Sequence, residues 1–139
     1  MASGWTNKGK ARILNGFFRA TSLPTNLFAV LITSAVVPDA DTNTLSELTQ
    51  IANGNGYTTN GVSLNRNSTD FDVLTEDDAN DRALVQIKDL VWTASSGPLP
   101  ASGNGASYLV ITDDNGTAGS REVIGFFDLV SPRSVSDGQ

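Results

Sequence analysis

The chain contains no histidine and no cysteine. Those absences exclude disulfides, thiol nucleophiles, histidine general bases, Ser-His-Asp triads and the usual zinc ligand sets. Charge is sparse as well: 17 % of residues are ionic, and 9 basic against 15 acidic side chains leave a formal charge of −6. Attraction to a phosphate backbone would therefore need a local basic cluster. The only cluster is Lys8, Lys10, Arg12 and Arg19, with Arg121 and Arg133 far along the chain. No aromatic residues interleave it in the manner of an RNA-binding sheet, so no specific nucleic-acid partner is expected and the cluster reads as a solvated or partner-facing helix side. No apolar run reaches the roughly eighteen residues of a membrane span, and no signal-peptide core is visible at the start. The expectation is a soluble protein made in the cytosol, with no membrane partner.

What remains is a short, loop-rich chain. Its 139 residues suit one domain, with about two-thirds of the unfolded surface buried on folding. Thirteen glycines and many Ser, Thr and Asn separate short apolar runs, a composition of β structure. We expect a mainly β protein, a single β-sandwich-like domain over 1–139, with a helical segment at about 6–19, a β core over about 23–139 and one further short helix.

Ala11, Ile13, Leu14, Phe17 and Phe18 recur at spacings of three and four, which predicts an amphipathic helix with Thr6 as its cap. Gly9 and Gly16 each weaken it by about 1 kcal/mol relative to Ala, so the helix is expected to depend on docking its Phe face against the sheet. Pro24 forces an extended path, and the apolar run 27–33 predicts a central strand buried on both faces. Residues 34–43 read as a loop, and Thr44, Leu45, Ser46 and Glu47 carry a capping-box pattern that opens a helix of one or two turns. Asn53 to Gly56 ends it, and Tyr57 is expected to open a strand running through Val62 and Leu64, with a turn or bulge at Asn60-Gly61.

Glu76, Asp78 and Asn80 alternate as in a calcium loop. The glycine at the sixth place is missing, and Ile87 stands where a closing carboxylate belongs, so a solvated acidic loop is expected and no metal. Residues 82–93 read as one strand or two short ones meeting at Lys88-Asp89, with Trp92 in the core, and 95–107 as a surface loop or contact arm. Residues 108–112 and 122–130 form the clearest hairpin, and Phe126 and Phe127 fall on opposite sides of its second strand. The stretch 134–139 resembles the entry to one more strand. It implies either an open sheet edge that a neighbour can pair with, or simply a shorter final strand.

The segment Trp5 to Arg19 (WTNKGKARILNGFFR), followed by PTNLFAVLIT from Pro24 to Thr33 and NGNGY from Asn53 to Tyr57, resembles small structural proteins of tailed bacteriophages. The likeness covers roughly residues 5–135, and its motifs are architectural. It implies a noncatalytic virion component, first a capsid decoration or cement protein that stabilises the head lattice. The implied partners are the major capsid protein and copies of itself in a dimer or trimer. Candidate interface residues are Trp5, Lys8, Arg12, Phe17, Phe18, Arg19, Pro98 and Pro100, since exposed aromatics and arginines anchor interfaces and long loops reach neighbours. The alternative is a tail, baseplate or fibre module that binds a receptor or carbohydrate near Tyr57 or Tyr108. The lack of repeats or heptads favours decoration. Glycosidase-like pairing of Asp72 with Glu76, or of Asp113 with Asp114, lacks an aromatic setting that would raise one carboxyl, and 113–116 is better explained as a turn. No catalytic residue and no cofactor is expected.

Overall fold

The computed structural model describes residues 3–139. In chain order it contains β1 (Gly4–Trp5), α1 (Asn7–Arg19), β2 (Asn26–Ile32), β3 (Val62–Asn65), β4 (Val73–Asp77), β5 (Arg82–Gln86), β6 (Ala106–Thr112) and β7 (Val123–Arg133). Five strands form an antiparallel sheet in the order β1-β7-β6-β2-β3, and β4 pairs with β5 as a separate hairpin. The protein is mainly β with one N-terminal helix, as composition and patterning imply.

β2 is an interior strand of the sheet, between β6 and the edge strand β3, and is covered on both faces as its unbroken apolar run implies. Alternation along β2 sends Val30 and Ile32 to one face, where they pack with Tyr108, Val110, Val123 and Phe126 beneath Leu45 and Leu48. Ala29 and Leu31 point to the other face. That side is covered by Ile51, Tyr57, Ala94 and Leu99, and by Phe71, Ile87 and Leu90 around the base of the β4–β5 hairpin. The expected C-terminal hairpin is β6–β7, with Phe126 buried on the first face and Phe127 half-exposed on the second.

The predicted second helix is a single 3-10 turn, Leu45–Glu47, and Glu47 Oε1 accepts from the Thr44 backbone N–H at 3.0 Å as a capping box requires. Several expectations change. Tyr57 opens no strand; it is buried and bridges back to Gly54, and β3 starts only at Val62. The turn at Asn60-Gly61 has φ of 74° and 76°, and a Cβ on Gly61 would lie 1.9 Å from the Ala29 carbonyl oxygen, so only glycine lets the chain pass β2 there. Residues 76–81 are not a free loop but the tip of β4–β5, where Asp77 accepts from Asn80 Nδ2 at 3.0 Å and from Arg82 Nε at 2.7 Å. Strand structure after residue 82 ends at Gln86, short of the expected 93, and Trp92 is only half-buried. The 134–139 segment leaves no loose strand entry: Val135 exchanges both backbone hydrogen bonds with Leu99, at 2.9 and 3.0 Å, and Gly138 and Gln139 bond to Ala94.

Candidate functional site

α1 begins where Thr6, fully buried, caps it. The Thr6 hydroxyl accepts from the Gly9 N–H at 2.8 Å and donates to the Val123 carbonyl, while the Thr6 N–H donates to the Ile124 carbonyl at 3.1 Å. One residue therefore satisfies a helix-terminal donor and fastens the helix to β7. Gly9 completes the dock. A Cβ at that position would sit 2.1 Å from the Ile124 carbonyl oxygen, so the helix approaches the strand at backbone distance. Beside it Lys8 Nζ, and one turn on Arg12 Nε, reach Glu122 at 3.6 and 3.9 Å. The C-terminal end closes with Ala20 in the left-handed region at φ 52°, its N–H on the Asn15 carbonyl.

This arrangement inverts the expected docking. The face that meets the sheet carries Gly9, Lys8 and Arg12, and the apolar face looks outward: Phe17 is 82 % exposed and Phe18 74 %, with Ile13 and Leu14 exposed beside them. The physical reason is the glycine: only the Cβ-free side of α1 can come close enough for Thr6 to bond both strand carbonyls, and those bonds fix the helix's rotation. Phe17 and Phe18 pack on each other, edge to face, with ring centroids 5.1 Å apart. They do not pack on the chain's own sheet.

The predicted interface residues divide accordingly. Phe17 and Phe18 lie on the outer side of α1, the exposed Arg19 is its last residue, and Trp5, partly exposed in β1, lies just before it. Lys8 and Arg12 turn inward to Glu122. Pro98 is exposed on a separate loop, where Asn55 Nδ2 donates to its carbonyl at 2.8 Å. Pro100 is buried, which withdraws it as a surface contact. The 95–107 segment is anchored through Leu99 rather than being a loose arm.

A cleft of about 660 Å³ opens on the sheet's second face between the segment after β5 and the latter half of β7. Trp92, Leu99, Leu129 and Arg133 are among its lining residues, and Trp92 Nε1 is buried there with no hydrogen-bond partner. Trp92, at the end of the stretch read as strand over 82–93, was the sequence clue, and it read as core. Both tyrosines are buried, so neither offers the carbohydrate platform considered for them. Burial pushes the Tyr57 phenol up to about 12, and its hydroxyl donates to Gln50 Oε1 at 3.1 Å.

The carboxylates mostly hold backbone. Asp70 accepts from Lys88 Nζ and from the Asn65 N–H at 2.6 Å, and these bonds, the lysine's first, hold its carboxyl below the usual range. Asp114 is lowered in the same way by the Asn26 and Thr25 N–H groups, at 3.0 and 2.8 Å. Asp113 Oδ1 accepts from the Glu122 N–H at 2.9 Å, which is turn chemistry. Among the described residues no group of three or more carboxylates is placed to hold a metal ion. Set against known proteins, the chain matches no family model, no curated protein and no solved structure.

Proposed function

We propose that this chain is a noncatalytic structural protein of a bacteriophage particle, a capsid decoration or cement protein that adheres to the head lattice through α1. The observation that carries the reading is the outward apolar face of α1. Fully burying a Phe or Leu side chain is worth about 1.5–3 kcal/mol, and here four large apolar side chains on one rigid helix leave most of that unrealised within the chain. Such a patch suits adhesion: rigid aromatics beside Arg19 are the residue types that dominate interface energetics. The resemblance in the N-terminal third supplies the particle, and the major capsid protein with further copies of this chain are the partners it points to.

A tail or fibre module is the second reading, and the cleft beside Trp92 favours it, because an apolar hollow lined by an aromatic side chain with Arg133 at its wall has the make-up of a ligand pocket. Immunogold labelling of intact virions separates the two. Gold over the head supports cement; gold confined to the tail tip overturns it in favour of the ligand-binding module, and unlabelled particles overturn both.

A further inference from the structure

Two exposed surfaces of this chain are complementary in charge and alike in being apolar at their centres. α1 contains four basic residues and no acidic one. Lys8 and Arg12 are engaged by Glu122, whereas Lys10 and Arg19 are exposed and form no ion pair among the described residues. Lys10 shares its face with Ile13, Leu14, Phe17 and Phe18 at helical spacing, whereas Arg19, nine residues on, leaves the end of the helix on the opposite side. The β4–β5 hairpin with its flank, 72–82, contains five acidic residues and one basic. Asp77 is taken by Arg82, and Glu76, Asp78 and Asp81 are exposed without an ion pair among the described residues. Leu74, 79 % exposed, stands opposite Val85 in the hairpin register, and Glu76 follows on the same face opposite Ala83.

The hairpin is also under-supported. Every residue of β5 is exposed, and a two-stranded ribbon alone is marginal in water. Its base is tied to the rest of the chain by the Asp70–Lys88 pair and by Phe71, Ile87 and Leu90 packed on the sheet. α1 meets β7 at its start, around Ile124, whereas β5 and the segment after it border β7 at Phe127, Leu129 and Arg133, toward the other end of that strand. One copy thus presents a basic apolar face near one end of β7 and an acidic apolar face toward the other.

We infer that copies of this chain associate head to tail, the outer face of α1 seating on the β4–β5 hairpin of the next copy, with Lys10 against Glu76 and Asp78. The inference rests on the reading that the chain builds a surface with copies of itself, and it names the two faces involved. Such an interface is heterologous: it closes into a ring if the rotation permits and otherwise grows as a chain. The charges set the register and orientation, and the apolar centres supply the affinity.

The test is sedimentation of the purified full chain over a concentration series, with two charge-reversed variants whose positions are all exposed, each checked for native unfolding behaviour. Wild type is expected to sediment above its 14.6 kDa monomer as concentration rises, and more weakly at high salt. Lys10→Glu, and separately Glu76→Lys with Asp78→Lys, should each lower association about tenfold or more. Mixing the two variants should restore it, because each acidic helix then meets a basic hairpin and each unaltered helix an unaltered hairpin. A strictly monomeric wild type overturns the inference. So does association that the hairpin variant leaves intact, which would mean a helix-to-helix contact. Since purified protein is used, these failures leave the particle assignment to the labelling experiment, and absence of gold from virions leaves this result standing.

Discussion

Replacing Gly9 with Ala sets two physical effects against each other. In an ordinary helix the change stabilises by about 1 kcal/mol, because glycine is a poor helix former. Here the new methyl would lie 2.1 Å from the Ile124 carbonyl oxygen, whereas an ordinary Cβ contact begins near 3.4 Å. The obstacle is hydrogen-bonded backbone at the start of β7 and cannot rotate aside, so α1 must lift. Overpacking costs about 1–3 kcal/mol, and stretching the Thr6 bonds to Val123 and Ile124 adds about 1 kcal/mol for each bond weakened. After the propensity gain, Gly9→Ala should destabilise by about 2–4 kcal/mol, lowering the urea midpoint by about 1–2 M at an ordinary m-value. Gly16→Ala is the control. Its methyl would meet only Leu23 side-chain atoms, the nearest at 2.4 Å, and that side chain is partly exposed and can swing away. It should stay within about 0.5 kcal/mol of wild type or gain stability. Urea unfolding of both variants, followed by far-ultraviolet circular dichroism at low concentration, reads the difference. If Gly9→Ala is as stable as Gly16→Ala, α1 does not dock through its glycine face and the account of its exposed aromatics fails.

Thr6→Val keeps the shape but removes the cap and the hydroxyl donor to Val123; a loss of about 1–3 kcal/mol in the same assay is expected, and a loss below the low end would mean the cap is not the fastening. Asp70 and Asp114 have folded pKa values below their unfolded values, so their stabilisation is complete above the ordinary carboxylate pKa of about 4 and disappears as pH falls through the lowered folded values. Stability should therefore decline on acidification, and Asp70→Asn should make that decline shallower; an unchanged acid limb in the variant counts against the Lys88 pairing. Tyr57 is displaced in the opposite sense. Its raised phenol pKa leaves stability intact below about 10 and removes it as pH climbs toward about 12, since only the unfolded chain ionises easily in between. Ultraviolet titration should show one tyrosine resisting until about pH 12, and Tyr57→Phe should remove that late step.

β2 and the β6–β7 pair were legible because an apolar run of strand length flanked by turn residues has few other uses, and Thr6 was legible because a cap is a local device. The orientation of α1 was not. Helical periodicity says that Ile13, Leu14, Phe17 and Phe18 share a face; it does not say which side of the helix can approach a strand most closely. Gly9 and Gly16, seven residues apart, marked that side, and a propensity argument reads them only as weakness. The β4–β5 hairpin escaped for a different reason. Its apolar content, Val73 with Leu74 and Leu84 with Val85, is divided between two five-residue strands around an acidic tip, so neither strand stands out alone. Trp92 misled because a large aromatic near a strand is usually core, and the cleft it borders exists only once the post-β5 segment and β7 are brought together.

Docking α1 by its backbone has a consequence for what its other face can do. A 13-residue helix in isolation is marginal, and one held by burying its own aromatics would have none left to offer a partner. Here Thr6 and Gly9 hold the N-terminal end on β7, Glu122 steadies the next turn, and the left-handed Ala20 ends the helix beside Leu23. The conformational cost of ordering α1 is thereby met within the fold, before any partner arrives. A partner that covers Phe17 and Phe18 restricts mainly two χ angles per ring, not a backbone segment, so more of the burial energy appears as affinity than for a loop carrying the same residues. The aromatic face is thus stabilised in place by contacts that involve none of its aromatic side chains. Substitutions at Phe17 and Phe18 should accordingly alter association while leaving the fold of the single chain nearly untouched, whereas Gly9 and Thr6 should alter both.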